Sequence, residues 1–371
     1  MTKDKKILVG VCVGGYGGID KYVLHFTKVC KKYNIQCDVL TTKCSDDFDK
    51  QLTENNASLI QIANLHNKSE IYKKISHLCK QNDYSASYWN ISTDLMFPYI
   101  DASFKSRVEN ILVHGHAHYN NRSNILENKI FDLLHYFYRT KLNKLSVKYA
   151  GCSNDSAMWV GGKKTQGNNW TFIPNPVNTK LFKYNENLRN LMRAQLELGN
   201  KFVVGSVTSY MYYKNPMWLI DVVSSLQKRN KNTMLVVAGE GPLKDNFIKT
   251  CEHKLLPNSF KILGKRDDVE KLMQAFDVYM LPSHNEGLPI SVLEAQCSGL
   301  ECFISDSITS EVIAVKDNVH RISLKKGADY WANEILQNKC KPRNKDAYNL
   351  VDKAGFNLDS PKIALKTLNL I

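Results

Sequence analysis

No run of apolar residues in this 371-residue chain approaches the roughly 18 needed to cross a bilayer as a helix, which excludes a helical membrane span. No two cysteines are spaced C-x-x-C. The ten cysteines stand singly, most of them inside apolar stretches, which argues against a zinc ribbon or a disulfide framework and for reduced, cytosolic usage. Low-complexity tracts and short-period repeats are also missing, so the chain is neither a disordered segment nor a solenoid. What is there is ordinary globular material, 43% hydrophobic and 23% charged, in a length that asks for two domains. The opening MTKDKKILVGVCVGG has a basic head, but its apolar run is short, contains glycines and leads into GGIDKY without a cleavage-like site. It reads as a first buried strand rather than a secretory signal, and the expected location is the cytoplasm.

The net charge of +14 is the first feature that suggests a partner. Residues 1–180 carry +9 of it and the remainder +5. It is most concentrated in KIFDLLHYFYRTKLNKLSVKY, residues 129–149, where Ile130, Phe131, Leu134, Phe137 and Tyr138 recur at helical steps beside Arg139, Lys141, Lys144 and Lys148. Two readings compete: a core helix with a solvated basic face, or a helix attracted to an anionic membrane surface at about 1 kcal/mol per basic residue. No helix-turn-helix, zinc-finger or RNA-recognition signature accompanies the charge, so no nucleic acid is expected as a partner.

Short apolar runs alternate with longer amphipathic ones. KILVGVCV, QCDVLTT, SLIQIAN, SASYWNIS, NILVHGH, YAGCSN and WTFIPN read as strands, and after the helix-like YNENLRNLMRAQLELG the pattern restarts with KFVVGSV, TMLVVAG, SFKILG, DVYMLPS and LECFISD. Strand and helix in alternation imply α/β architecture with parallel sheets covered on both faces. The restart implies two such sheets, with a boundary near Pro174 to Phe182. Ligands of such sheets bind beyond the carboxyl ends of the strands.

The stretch PSHNEGLPISVLEA, residues 282–295, follows one of those strands directly. Pro289 suits the first position of a helix and Gly299 a stop. Glu286 then lies in the loop at the strand's carboxyl end and Glu294 about a turn and a half into the helix, leaning back toward its start. The amides of Gly287, Leu288 and Ile290 offer a seat for phosphate oxygens. Carboxylates accept from sugar hydroxyls while amides hold an anion, a layout that suits a nucleotide-sugar. As a bare spacing E-x7-E arises often by chance, and the placement behind a buried strand is its specific part.

Three other signals compete. HGHAH sets His114, His116 and His118 on one face if the strand continues, as a zinc site would, but no carboxylate or cysteine companion can be named. DFD at residues 47–49 imitates a metal-binding Asp-x-Asp, a pattern this many aspartates produce by chance. GGYGGID is glycine-rich after a first strand but misses the G-x-G-x-x-G spacing of a dinucleotide site.

EGLPISVLEA resembles the signature of the retaining glycosyltransferases of family 4. The resemblance runs along most of the chain, through GGYGGIDKYV, HGH, IPNPVNTKLF, YYKNPMWLID, VVAGEGPLK, ILGKRDDVEKLMQAFDVYMLPS and LECFISDSITSEV. The later segments look most like the branch that builds capsule, exopolysaccharide and O-antigen chains. It implies the GT-B fold, two Rossmann-like domains facing across a cleft. Residues 1–177 would bind the acceptor and 178–353 the nucleotide-sugar, with 354–371 packing back on the first domain. It also implies roles. Glu286 would contact the donor sugar, Glu294 the ribose, and Lys214 the diphosphate. Gly17 and Gly18 would approach the same phosphates, His116 the reacting centre, and Arg266 the base, mainly through backbone.

The implied reaction is metal-independent and cofactor-free. It transfers a hexose or N-acetylhexosamine, with retention, from a nucleotide diphosphate sugar, read as a UDP-sugar, to a growing lipid-linked glycan at the membrane surface. The chain departs from the family at Ser209, where arginine usually precedes the lysine by five residues. Serine cannot replace that bidentate fork: either a nearby base such as Arg266 substitutes or donor handling is weakened, and a non-catalytic sugar-nucleotide or glycan binder is the alternative function. Asn178 and Asp20 are smaller departures, standing where the family commonly has aspartate and glutamate.

Overall fold

The computed structural model describes residues 5–10, 18–42, 44–62, 67–117, 125–339 and 341–371. The chain forms two units, one of Met1–Pro176 with Leu358–Ile371 and one of Val177–Asn357.

The first unit is built on a seven-stranded parallel sheet: β1 Lys6–Gly10, β2 Gln36–Thr41, β3 Ala57–Gln61, β4 Ala86–Ile91, β5 Ile111–Gly115, β6 Lys148–Gly151 and β7 Thr171–Phe172. Their spatial order is β3-β2-β1-β4-β5-β6-β7, with Ile7 opposite both Cys37 and Ala86. Alternation along β1 divides the core between the two faces. Ile7 and Val9 join Phe26, Tyr88 and Leu365 in one cluster, while Leu8 joins Trp89, Ile100 and Val113 in the other. Each fully buried aliphatic side chain of this kind contributes about 1.5–3 kcal/mol. The chain's last residues return to this unit. Ser360 Oγ donates to Pro174 O at 3.0 Å, and the amines of Lys5 and Lys148 each donate at 2.5 Å to carbonyls of Leu370 and Thr367.

The second unit repeats the plan with six parallel strands: β8 Phe202–Val207, β9 Thr233–Ala238, β10 Phe260–Ile262, β11 Val278–Leu281, β12 Glu301–Ser305 and β13 Val319–Ile322, ordered β10-β9-β8-β11-β12-β13. Every stretch read as a strand in the sequence forms one. Strand β13, VHRI, has no apolar run to betray it. As an edge strand it keeps Arg321 exposed, and His320 stacks on Phe303 with its Nε2 2.6 Å from Glu301 Oε2.

The basic-aromatic segment is a helix, Ile125–Leu142, but not a core helix. Leu126, Ile130, Leu133, Leu134, Tyr136 and Phe137 are exposed, Leu133 at 69%. The helix is held to its unit by Leu142 and by His135, both buried, and His135 Nε2 lies 3.0 Å from Trp159 O with its ring stacked on that indole. Of the two competing readings, the core helix is therefore corrected: this helix buries His135 and Leu142 and exposes Leu126, Leu133 and Leu134. The DFD motif opens the helix Asp46–Glu54, and Ser45 caps that helix by accepting from Phe48 N. Its aspartates have an ordinary role at a helix N-terminus.

Burial lowers the pKa of four histidines of the first unit below the usual 6.5: His25, with help from Lys28 and Lys21, His114, His116 to about 3 and His135 to about 4. Burial raises the pKa of Asp94. Below pH 6.5 the unfolded chain therefore binds more protons at the four histidines than the folded one, while Asp94 opposes this with a single site. Stability falls on acidification. The melting temperature should drop between pH 7 and pH 5; an unchanged or higher value at pH 5 would contradict the neutral state of these rings.

Candidate functional site

In the second unit the chain runs outward from β8 through β9 to β10, then crosses back to β11 on the other side of β8 and continues to β13. The strand order reverses between β8 and β11, and at such a switch point the loops beyond the carboxyl ends diverge and leave a crevice. Lys214 follows β8 and Glu286 follows β11.

The loop after β8 is pinned to its neighbours. Tyr210 N donates to Glu240 O, and the Tyr210 carbonyl accepts from Leu243 N, both at 3.0 Å. Gly239, after β9, has φ 148°, and a Cβ there would stand 1.7 Å from Thr208 O. A single turn, Tyr212–Lys214, follows, then Asn215 at φ 51° and the helix Pro216–Arg229. Asparagine tolerates this left-handed conformation, and its amide donates to Pro282 O at 3.2 Å while His284 N donates to Tyr213 O at 2.7 Å. The loops after β8 and β11 are thereby sewn together.

Across that seam Lys214 Nζ stands 2.6 and 2.7 Å from the two carboxylate oxygens of Glu286. The side chains are 18% and 8% exposed. Glu286 is held from two further directions, by a backbone bridge to Ile308 and by Ser283, whose hydroxyl donates to Oε1 at 2.7 Å. The Ser283 carbonyl in turn accepts from the hydroxyls of Ser305 and Ser307. Sequence reasoning missed Ser283, since a serine three residues before a glutamate carries no pattern of its own.

The helix after Glu286 is Ile290–Cys297. Pro289 is its N-cap with ψ 109°, so the expected first helical position moves one residue on, to Ile290. At the other end Gly299, at φ 67°, closes a Schellman motif in which Leu300 N reaches Ala295 O and Gly299 N reaches Gln296 O. Glu294 is half-buried. Burial raises the pKa of the Tyr279 hydroxyl against the lowering effect of its bond to Ser291, and the charges of Glu294 and Glu286 both add to the rise. The phenol of Tyr279, within β11, is thereby tied to the first turn of this helix through Ser291 at 2.8 Å. Gly287 is half-buried and Leu288 and Pro289 are buried.

Arg266 lies in the loop after β10, with its guanidinium forked onto Asp268 at 2.7 and 2.6 Å. That hydrogen bond raises the pKa of the arginine and lowers that of the aspartate. The fork is thus already occupied within its own loop. Ser209 is half-buried in the loop after β8.

In the first unit the strand order reverses between β1 and β4. Gly17 lies outside the described residues, as does His118. Gly18 opens the helix Gly18–Lys32 and has nothing within 4 Å of an added Cβ. His116 follows β5, its Nε2–H donating to Asn90 Oδ1 at 3.0 Å. Burial lowers its pKa while a hydrogen bond with the Asn175 side chain works the other way, so the ring is neutral at physiological pH. Its neighbour His114, centroid 4.0 Å away, ends a buried chain in which Tyr22 Oη lies 2.8 Å from Tyr88 Oη, and Tyr88 Oη 2.7 Å from His114 Nδ1. Among the described residues no group of three or more His, Cys, Asp or Glu could hold a metal ion.

Residues 189–347 match the family described as Glycosyl transferases group 1. Over 347 residues, 91% of this chain and 88% of the relative, the chain is 26% identical to EpsF of Bacillus subtilis (strain 168). Over 122 residues, 32% of this chain and 30% of the relative, it is 48% identical to the N,N'-diacetylbacillosaminyl-diphospho-undecaprenol alpha-1,3-N-acetylgalactosaminyltransferase of Campylobacter jejuni subsp. jejuni serotype O:2. Among solved structures, Anabaena Alr3699/HepE in complex with UDP-glucose superposes with a TM-score of 0.76 at 19% identity, covering 99% of this chain and 100% of that one. With two parallel-sheet α/β domains of the GT-B kind, the chain carries a Glycosyl transferases group 1 domain over residues 189–347, most of its second unit.

Proposed function

We propose that the chain is a metal-independent, retaining family 4 enzyme. It would move a hexose or N-acetylhexosamine from a UDP-sugar to a lipid-linked glycan of a growing surface polysaccharide, at the cytoplasmic face of the membrane. The observation that carries the proposal is the meeting of Lys214 and Glu286 at the β8/β11 switch point, directly before the amides that open the helix Ile290–Cys297. Breaking a sugar–diphosphate bond places negative charge on the departing phosphate, and an ammonium with a helix N-terminus beside it stabilises that charge without a metal. Glu286 would accept a hydroxyl of the donor sugar and Glu294 the ribose hydroxyls. The loop of Arg266 would meet the base through backbone. Gly17 and Gly18 keep their phosphate role in the proposal, and His116 would serve the reacting centre as a neutral hydrogen-bonding ring. The UDP-glucose held by the Anabaena protein and the diphospho-undecaprenol substrate named for the Campylobacter enzyme support these choices of donor and acceptor.

Membrane docking would fall to the helix Ile125–Leu142. No described helix is long and apolar enough to span a bilayer, but this one presents a contiguous apolar stripe of Leu126, Ile130, Leu133 and Phe137 with Lys141 Nζ 4.3 Å above the Phe137 ring. A large exposed apolar stripe rimmed by cations is how a helix lies in an interface. The non-catalytic alternative has its own support, in Ser209 and in the Arg266 fork being taken by Asp268.

Lys214→Ala and Glu286→Ala should each lower transfer from a UDP-sugar by about 100-fold or more, with circular dichroism unchanged; near-normal rates in either variant would undo the assignment. Binding of UDP-sugars without turnover across a broad acceptor panel would favour the binder instead. In flotation assays the wild type should associate with vesicles containing phosphatidylglycerol more than with neutral ones, and Leu133→Glu with Phe137→Glu should abolish the association. Equal binding to both vesicle types would count against docking.

A further inference from the structure

Three basic side chains in the loops that follow β8, β9 and β10 are already paired. Lys214 is on Glu286, Lys244 is 2.7 Å from Glu240 Oε1, and Arg266 is forked onto Asp268. The first of these pairs is the most buried. An ammonium has three protons, and two short contacts to one carboxylate leave it poorly placed to hold a diphosphate as well. The carboxylate beside it would also repel that anion. Neither group can simply be left alone, because a charge in a largely dry site without a partner is costly.

Building on the donor reading above, we propose that a nucleoside diphosphate sugar binds by exchanging partners at Lys214. The amine leaves Glu286 for the diphosphate oxygens, and the released carboxylate takes a hydroxyl of the same donor's sugar. Each end of the ligand then replaces the interaction that the other end has broken. Ser283 makes the exchange possible: its hydroxyl stays on Glu286 Oε1, and its own carbonyl stays anchored by Ser305 and Ser307. Glu286 thus never loses all its donors and does not swing away. A nucleoside diphosphate without sugar breaks the pair and replaces only half of it. The pair therefore favours intact donor over spent diphosphate, which promotes release of the product after transfer.

The test is calorimetric titration of the full chain with UDP and with UDP-glucose. Glu286→Gln, close in shape and uncharged, should bind UDP about tenfold more tightly than wild type, because the amine no longer has a carboxylate to leave. The gain should vanish when Lys214→Ala is added. UDP-glucose should gain less than UDP, since the glutamine is a poorer acceptor for the sugar. If Lys214→Ala weakens UDP binding while Glu286→Gln leaves it unchanged, the exchange is overturned and the donor site stands. If Lys214→Ala has no effect on UDP binding, the donor site itself is wrong. A crystal structure of the wild type with UDP gives the same decision without a variant. Lys214 Nζ on a diphosphate oxygen and more than 4 Å from Glu286 supports the exchange. An intact bidentate pair beside bound UDP overturns it.

Discussion

The reversal of strand order between β8 and β11 is the constraint on which the second unit's chemistry depends. Two adjacent parallel strands, read from different parts of the chain, deliver their carboxyl-end loops to one place. There, Asn215 and His284 stitch the loops to each other's backbone. Lys214 and Glu286 are 72 positions apart in sequence and yet within a short hydrogen bond. The first unit has the same reversal between β1 and β4, so the plan is repeated while the residues placed on it differ. Where the second unit gathers paired charges, the first gathers buried tyrosines and histidines whose rings are kept neutral.

Much of this was legible in the sequence because parallel strands buried on both faces are continuous apolar runs, and KFVVGSV or TMLVVAG can hardly be anything else. The placement of Glu286 in a loop and Glu294 on a helix followed from the same logic, as did the stop at Gly299. What escaped had physical reasons. Strand β13 is an edge strand whose His320 and Arg321 find partners across and beyond the sheet, so its burial pattern is broken. The position of Pro289 turned on one ψ angle. Pairing of Lys214 with Glu286, and the part of Ser283 beneath them, depends on loops meeting across strand neighbours, which no local pattern encodes.

The helix Ile125–Leu142 is the clearest case of a pattern with two meanings. A stripe of apolar residues at helical spacing says only that the stripe is covered by something. Here His135 and Leu142 face the unit, while Leu126, Leu133, Leu134 and Phe137 face outward. The sequence excess of positive charge in this half of the chain acquires a place on the surface from that orientation. The position of Ser209 presents the converse problem. The missing arginine is visible in the sequence, but whether Arg266 is available in its stead could only be learned from the bidentate contact with Asp268.

The central claim is that the loops after β8 and β11, with the start of the helix at Ile290, hold a nucleotide diphosphate sugar. Hydrogen exchange of the full chain, with and without saturating UDP-glucose, tests it most directly, because ligand-held loops are protected from opening. The account predicts slowed exchange in residues 209–216 and 283–294 and little change in β13 at the far edge of the same sheet. Saturable binding that leaves both loops exchanging as before would contradict it.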